Sequence, residues 1–144
     1  MSVREVIAQN IADTIGNITS PVDINVVTRE PFDFDKLSNA QFPAVLIRTT
    51  AEDRNDSTLG GSNTQRMATL NFELVCYVKS IQIDSARNLI AEAIEEALDV
   101  DRTRNGNALD TQVLSIEVDE GSIRPIGGIL ITLQVLYSYQ RGTT

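Results

Sequence analysis

The stretch 66–79 (RMATLNFELVCYVK) constrains the fold of this chain more than any other. Leu70, Phe72, Leu74, Cys76 and Val78 alternate onto one face, and Thr69, Asn71, Glu73, Val75, Tyr77 and Lys79 take the other. A period of two is the pattern of a half-buried β-strand. Residues 129–140 (ILITLQVLYSYQ) form a second long stretch whose middle is apolar on both faces. That pattern predicts a strand covered on both sides. Typical strands have about 5–6 residues, so two strands of this length overrun a small domain and project from it.

Two amphipathic helices complete the core. Val3, Val6, Ile7, Ile11, Ile15 and Ile18 make one stripe over residues 3–18, with Ser2 as cap and Thr19-Ser20-Pro21 as stop. In residues 85–98 (SARNLIAEAIEEAL), Ala86, Leu89, Ile90, Ala93, Ile94, Ala97 and Leu98 share a face, and Asp84 or Ser85 caps the start. Shorter strands are expected at 23–29, at 43–50, where Pro43 takes the first position, and at 111–119, which carries Val113 or Leu114, Ile116 and Val118. Residues 31–42 read as a connection with one helical turn. Residues 52–65 (EDRNDSTLGGSNTQ) read as a flexible, irregular loop, and turns are expected at Asn105-Gly106 and from Gly121 to Gly128. No repeat or composition shift divides the chain. The expectation is one α+β domain over 1–144, with a mostly antiparallel sheet of about five strands, two main helices on one face, and the order α-β-β-β-α-β-β.

The residue inventory excludes most catalytic chemistry. Histidine is absent, which removes imidazole bases, Ser-His-Asp and Cys-His arrangements and His-ligated metals. The single Cys76 makes no internal disulfide and sits in an apolar strand, where a small buried hydrophobe is expected rather than a reactive thiol. The N-terminus lacks the apolar run of a signal peptide, and no stretch approaches membrane-spanning length. A net charge of −8, with 10 Arg and 2 Lys scattered along the chain, opposes a grip on nucleic acid or an anionic membrane. Asp53, Asn55 and Ser57 have the alternate spacing of a calcium loop, but the sixth and twelfth positions hold Thr58 and Thr64 instead of Gly and Glu. Gly60-Gly61 and Gly127-Gly128 lack phosphate-loop spacing. No enzyme, metal or cofactor is expected.

What remains are candidate contact residues. Glu92, Glu95, Glu96, Asp99 and Asp101 crowd the second helix, so that residues 84–101 carry −5 of the net charge. Carboxylates on the polar face of an amphipathic helix are ordinarily a solvated surface, and acids near a helix C-terminus oppose its dipole. A partner could supply the missing cations. Tyr137 and Tyr139 alternate on one face of the last strand, as a contact patch or as core packing.

The ordered set VREVIAQNIADTI, FPAVLIRTTAED, RMATLNFELVCYVK, ARNLIAEAIEEALDVD and GILITLQVLYSYQR, over roughly residues 1–141, resembles the tail terminator proteins of long-tailed bacteriophages, the minor tail protein U group. The resemblance implies a virion protein of the tail or neck, assembled in the bacterial cytoplasm, whose subunits form a hexameric ring on the tail tube. There it stops tube growth, fixes tail length with the tape measure protein, meets the head connector and, in a contractile tail, the sheath. An acidic ring lets DNA pass without specific binding. Under this resemblance Arg48, Arg54 and Arg66, near the base of the 52–65 loop, are candidate cross-subunit partners of Glu92, Glu95, Glu96 and Asp99, with Tyr137 and Tyr139 at the interface. A head-completion (stopper) ring protein of the neck, or the terminator of a contractile injection machine, differs in partners rather than chemistry. A small-molecule-binding α+β dimer needs convergent polar groups in a pocket, which the sequence does not supply.

Overall fold

The computed structural model describes residues 2–30, 36–56, 65–118 and 126–140. The elements are α1 (Val3–Gly16), β1 (Val26–Thr28), a 3₁₀ turn (Asn39–Gln41), β2 (Ala44–Asp56), β3 (Gln65–Lys79), α2 (Ile83–Val100), β4 (Asp110–Val118) and β5 (Ile126–Gln140). They build a five-stranded sheet in the order β1-β2-β3-β5-β4. β1 runs parallel to β2 and every other pair is antiparallel. The α+β class, the element order and the mostly antiparallel sheet are as the sequence predicts.

The alternation in β3 is realised residue by residue. Leu70, Phe72, Leu74, Cys76 and Val78 are all buried, opposite Val135, Leu133, Ile131, Ile129 and Gly127 of β5. Both helices pack on this one face: Ile7, Ile11 and Ile15 of α1 and Ile90, Ile94 and Leu98 of α2 join the same core. The expectation that β5 is covered on both faces is therefore corrected. On its other face Leu130, Thr132, Gln134 and Leu136 are half-buried and Ser138 is exposed, because both helices lie on the opposite side.

Several boundaries shift for identifiable reasons. α1 starts where Ser2 Oγ accepts from the Glu5 amide at 3.1 Å, but ends at Gly16, with Ile18 buried just beyond it. The first strand shrinks to three residues, since only 26–28 pair with β2. Residues 52–56 are not loop: pairing with 66–70 of β3 carries the polar tail of β2 as strand, while 57–64 lie outside the described residues. Gly127 and Gly128 belong to β5 instead of a turn, and 121–125 also fall outside the described residues. α2 begins at Ile83 with Gln82 as its uncapped N-cap, earlier than an Asp84 or Ser85 cap would place it. Gly127 explains the early start: a Cβ there would collide with the Ile83 side chain, so the bare backbone admits the first turn of α2. Leu89 is half-exposed, and Arg87 takes a buried place on the helix.

The acidic C-terminus of α2 is answered within the chain. Arg104 is 1 % exposed and sits at φ 49° in the turn that follows the helix. Its guanidinium donates to the carbonyl of Leu98 at 2.6 Å, to the carbonyl of Asp101, and to Asn10 Oδ1 of α1 at 3.2 Å. It thus caps the last turn, opposes the dipole and ties α2 to α1. Burial holds its pKa below the ordinary arginine value, while Asp101 and Asp99 favour the charge. Asp101 braces the same turn by accepting from the Thr103 hydroxyl and the Thr103 and Asn105 amides. Asn105 and Gly106 continue the positive φ, as the Asn-Gly signal predicts.

Arg104→Met is expected to cost about 2–3 kcal/mol in urea unfolding, because buried carbonyls lose a charged donor; Arg104→Lys should recover only part of it. Acid should also destabilise the fold. The Arg29 guanidinium holds Glu5 below its usual pKa, hydrogen bonds from Thr103 and Asn105 do so for Asp101, and Arg102 does so for Asp110. Depressed carboxylates contribute stability above their unfolded value of about 4 and lose it as pH falls through the folded value. With no histidine, the urea midpoint should stay flat between about pH 5 and 7.5 and drop below about pH 4.

Candidate functional site

The sequence candidates fall at three places. The first is the far end of the long strands, on the helix-bearing face. β2, β3 and β5 place Arg54 beside Ala68 and Tyr137, and Arg66 beside Tyr139. Glu52, whose side chain is 8 % exposed, organises this end. It accepts from Arg54 Nε at 2.5 Å and from the Tyr137 hydroxyl at 2.5 Å, and Arg4 of α1 stands 3.7 Å away. The Arg54 guanidinium also stacks 4.7 Å over the Tyr139 ring, and the two tyrosine rings are 5.8 Å apart. Its bond to Glu52 raises the Arg54 pKa. Tyr137 and Tyr139 are buried, so of the two readings open to them, core packing is the one realised within this chain.

The second place is Arg48, on the opposite face of the sheet. Arg48 and Arg54 are six residues apart, which an unbroken strand would put on one face. The irregularity between Thr49 and Ala51 inserts Thr50 and reverses the alternation. Arg48 pairs with Glu73 across the ladder at 2.6 Å.

The third place is the acidic face of α2. Glu92, Glu95, Glu96 and Asp99 overhang β4 and form one wall of a groove of about 490 Å³, whose floor is Ile116, Val118 and Ile129. Eight residues of β5, about 27 Å, separate Ile129 from Tyr137. Among the described residues neither Arg54 nor Arg66 forms an ion pair with Glu92, Glu95, Glu96 or Asp99. Nor is either unengaged: Arg54 is held by Glu52, and Arg66 also makes interactions.

β4 is the outer strand beside this groove. Its irregularity, between Val113 and Ser115, leaves Leu114 50 % exposed, and Ile116 and Val118 are 40 % and 56 % exposed. Among the described residues no group of three His, Cys, Asp or Glu could hold a metal ion, and no helix is long and apolar enough to cross a membrane. Asp53 and Asn55 of the calcium-like spacing lie in β2, and Ser57 is outside the described residues. Burial pushes the Cys76 thiol far above its usual pKa, which leaves it inert as a nucleophile.

No protein-family model matches the chain, and no curated protein matches it. Solved structures do match it. Among them is a chain described as "Virion of native gene transfer agent (GTA) particle", with a TM-score of 0.49 and 11% identity over 94% of each chain.

Sequence reasoning did not single out Glu52 or Arg104. Glu52 was hidden because its segment reads as loop. Arg104 was signalled only indirectly, by an acidic helix end with no base in its last turn. The geometry separates the two tyrosines: Tyr137 donates to a buried carboxylate, whereas the buried Tyr139 hydroxyl has no hydrogen-bond partner among the described residues. Tyr137→Phe should cost about 1.5–3 kcal/mol in chemical unfolding, the range for a bond to a charged group. Tyr139→Phe should be close to neutral in the same assay.

Proposed function

We propose that this chain is a structural virion protein, a tail terminator. Its subunits close into a six-membered ring at the head-proximal end of the tail tube and stop polymerisation there. Together with the tape measure protein they set tail length, and they present a face to the head connector. It acts by shape and contact, with no catalytic step.

The observation that supports this reading best is the outer edge of β4, where Leu114, Ile116 and Val118 stand exposed on a strand that has a neighbour on one side only among the described residues. Monomeric proteins blunt such edges with charge, proline or a covering element, because an open edge with exposed aliphatics recruits other chains. An edge of this kind fits a protein that works inside an assembly. The resemblance of the element sequence to tail terminators supplies the kind of assembly, and the net charge of −8 fits a ring through which DNA slides without sticking.

The test is to add the purified protein to tail-tube subunits polymerising in vitro. Tube length should shorten as the protein is raised, with extra density at one end of each tube. Tubes of unchanged length and bare ends would contradict the proposal.

A further inference from the structure

The groove between α2 and β4 combines three properties. Its floor is aliphatic, from Ile116, Val118 and Ile129. Its outer side is the edge of a strand that pairs on one side only among the described residues, and such an edge can extend the sheet. Its wall is a run of like charges spaced three and four residues apart, Glu92, Glu95, Glu96 and Asp99, which repel one another along the helix.

Those charges are unevenly answered. Asp99 favours the charge of Arg104. None of Glu92, Glu95 and Glu96 has an ion-pair partner among the described residues. A second copy of this chain is poorly equipped to supply the cations, because those among the described residues are already engaged: Lys79 donates to Asn39 Oδ1 and Lys36 also makes interactions. Arg4 and Arg54 face Glu52, Arg29 holds Glu5, Arg48 holds Glu73, Arg87 faces Asp84, Arg102 holds Asp110, and Arg66 and Arg104 are also occupied. Two chains of net charge −8 would also repel at this surface.

We infer that the α2–β4 groove receives a β-strand from a different, basic protein, one that alternates aliphatic side chains with lysine or arginine. The strand pairs with the outer edge of β4. Its side chains alternate between the two faces of the sheet. The lysines or arginines take the α2 face, where their methylene stems lie along Ile116 and Val118 and their cations reach Glu92, Glu95 and Glu96, and the aliphatic residues take the other face. Main-chain pairing gives affinity, and the alternation gives specificity. This inference rests on the structural-protein reading only in taking the β4 edge as an assembly surface.

The test uses the full chain and two synthetic peptides of about ten residues, one alternating valine with lysine and one alternating valine with glutamate. Amide shifts and hydrogen exchange are read by NMR. The lysine peptide should perturb and protect 112–118 and the facing side of α2. Its binding should weaken at least about fivefold between low salt and about 0.5 M salt, and by a similar factor in the Glu92→Gln/Glu95→Gln/Glu96→Gln variant. Ile116→Lys, which blocks the floor with a cation, should abolish it in a chain whose remaining amide spectrum is unchanged. Equal binding of both peptides, perturbation elsewhere, or no binding at about 1 mM peptide would overturn the inference. So would protection of β4 on raising the protein concentration alone, if the glutamine variant removes it, because the groove would then belong to a second copy. Tube capping with a silent groove would overturn this inference alone, and a functional groove without capping would overturn the terminator proposal alone.

Discussion

The ladder between β3 and β5 is the constraint on which the rest of the structure depends. It pairs Gln65–Lys79 with Ile126–Gln140 along their whole lengths, and one face of it is buried from Val78 to Ala68 and from Ile129 to Tyr139. α1 and α2 have no other large apolar surface to cover, so their stripes settle there. β2 and β4 attach on either side. Because the ladder fixes register, a single inserted residue in either flanking strand changes which side chains face inward. Thr50 does this in β2, sending Glu52 and Arg54 to the helix face, and Leu114 does it in β4.

Along that face the core changes character. Toward its lower end the contacts are aliphatic. Toward Tyr137 and Tyr139 they become a charged and aromatic cluster centred on Glu52. A carboxylate that is mostly buried is tolerable only with its lone pairs satisfied; Arg54 and Tyr137 provide this, and Arg4 adds a positive charge 3.7 Å away. The arginines and tyrosines that look, in sequence, like a ready contact patch thus hold together the projecting end of the sheet.

The sequence made the backbone pattern legible and left the side-chain pairing hidden. The β3 alternation, the Ser2 cap and the Asn105-Gly106 turn were readable because each is a local signal with a local cause. The strand 52–56 was not, since its residues are polar and only pairing with β3 makes them strand. The start of α2 was misplaced because a glycine some forty residues away decides it. The acids Glu92, Glu95, Glu96 and Asp99 were readable as a cluster, but not as the wall of a groove, which requires knowing that β4 is the edge strand. Arg104 answers the helix end, and the upstream glutamates have no ion-pair partner among the described residues. That division locates the surface most in need of a partner.

Native mass across a concentration series, with imaging of the largest species, tests the central claim most directly. The account predicts a species near 95 kDa, six chains of 15.8 kDa, that images as a ring. A mass that remains at one or two chains at every concentration, including in the presence of tail tubes, would contradict it.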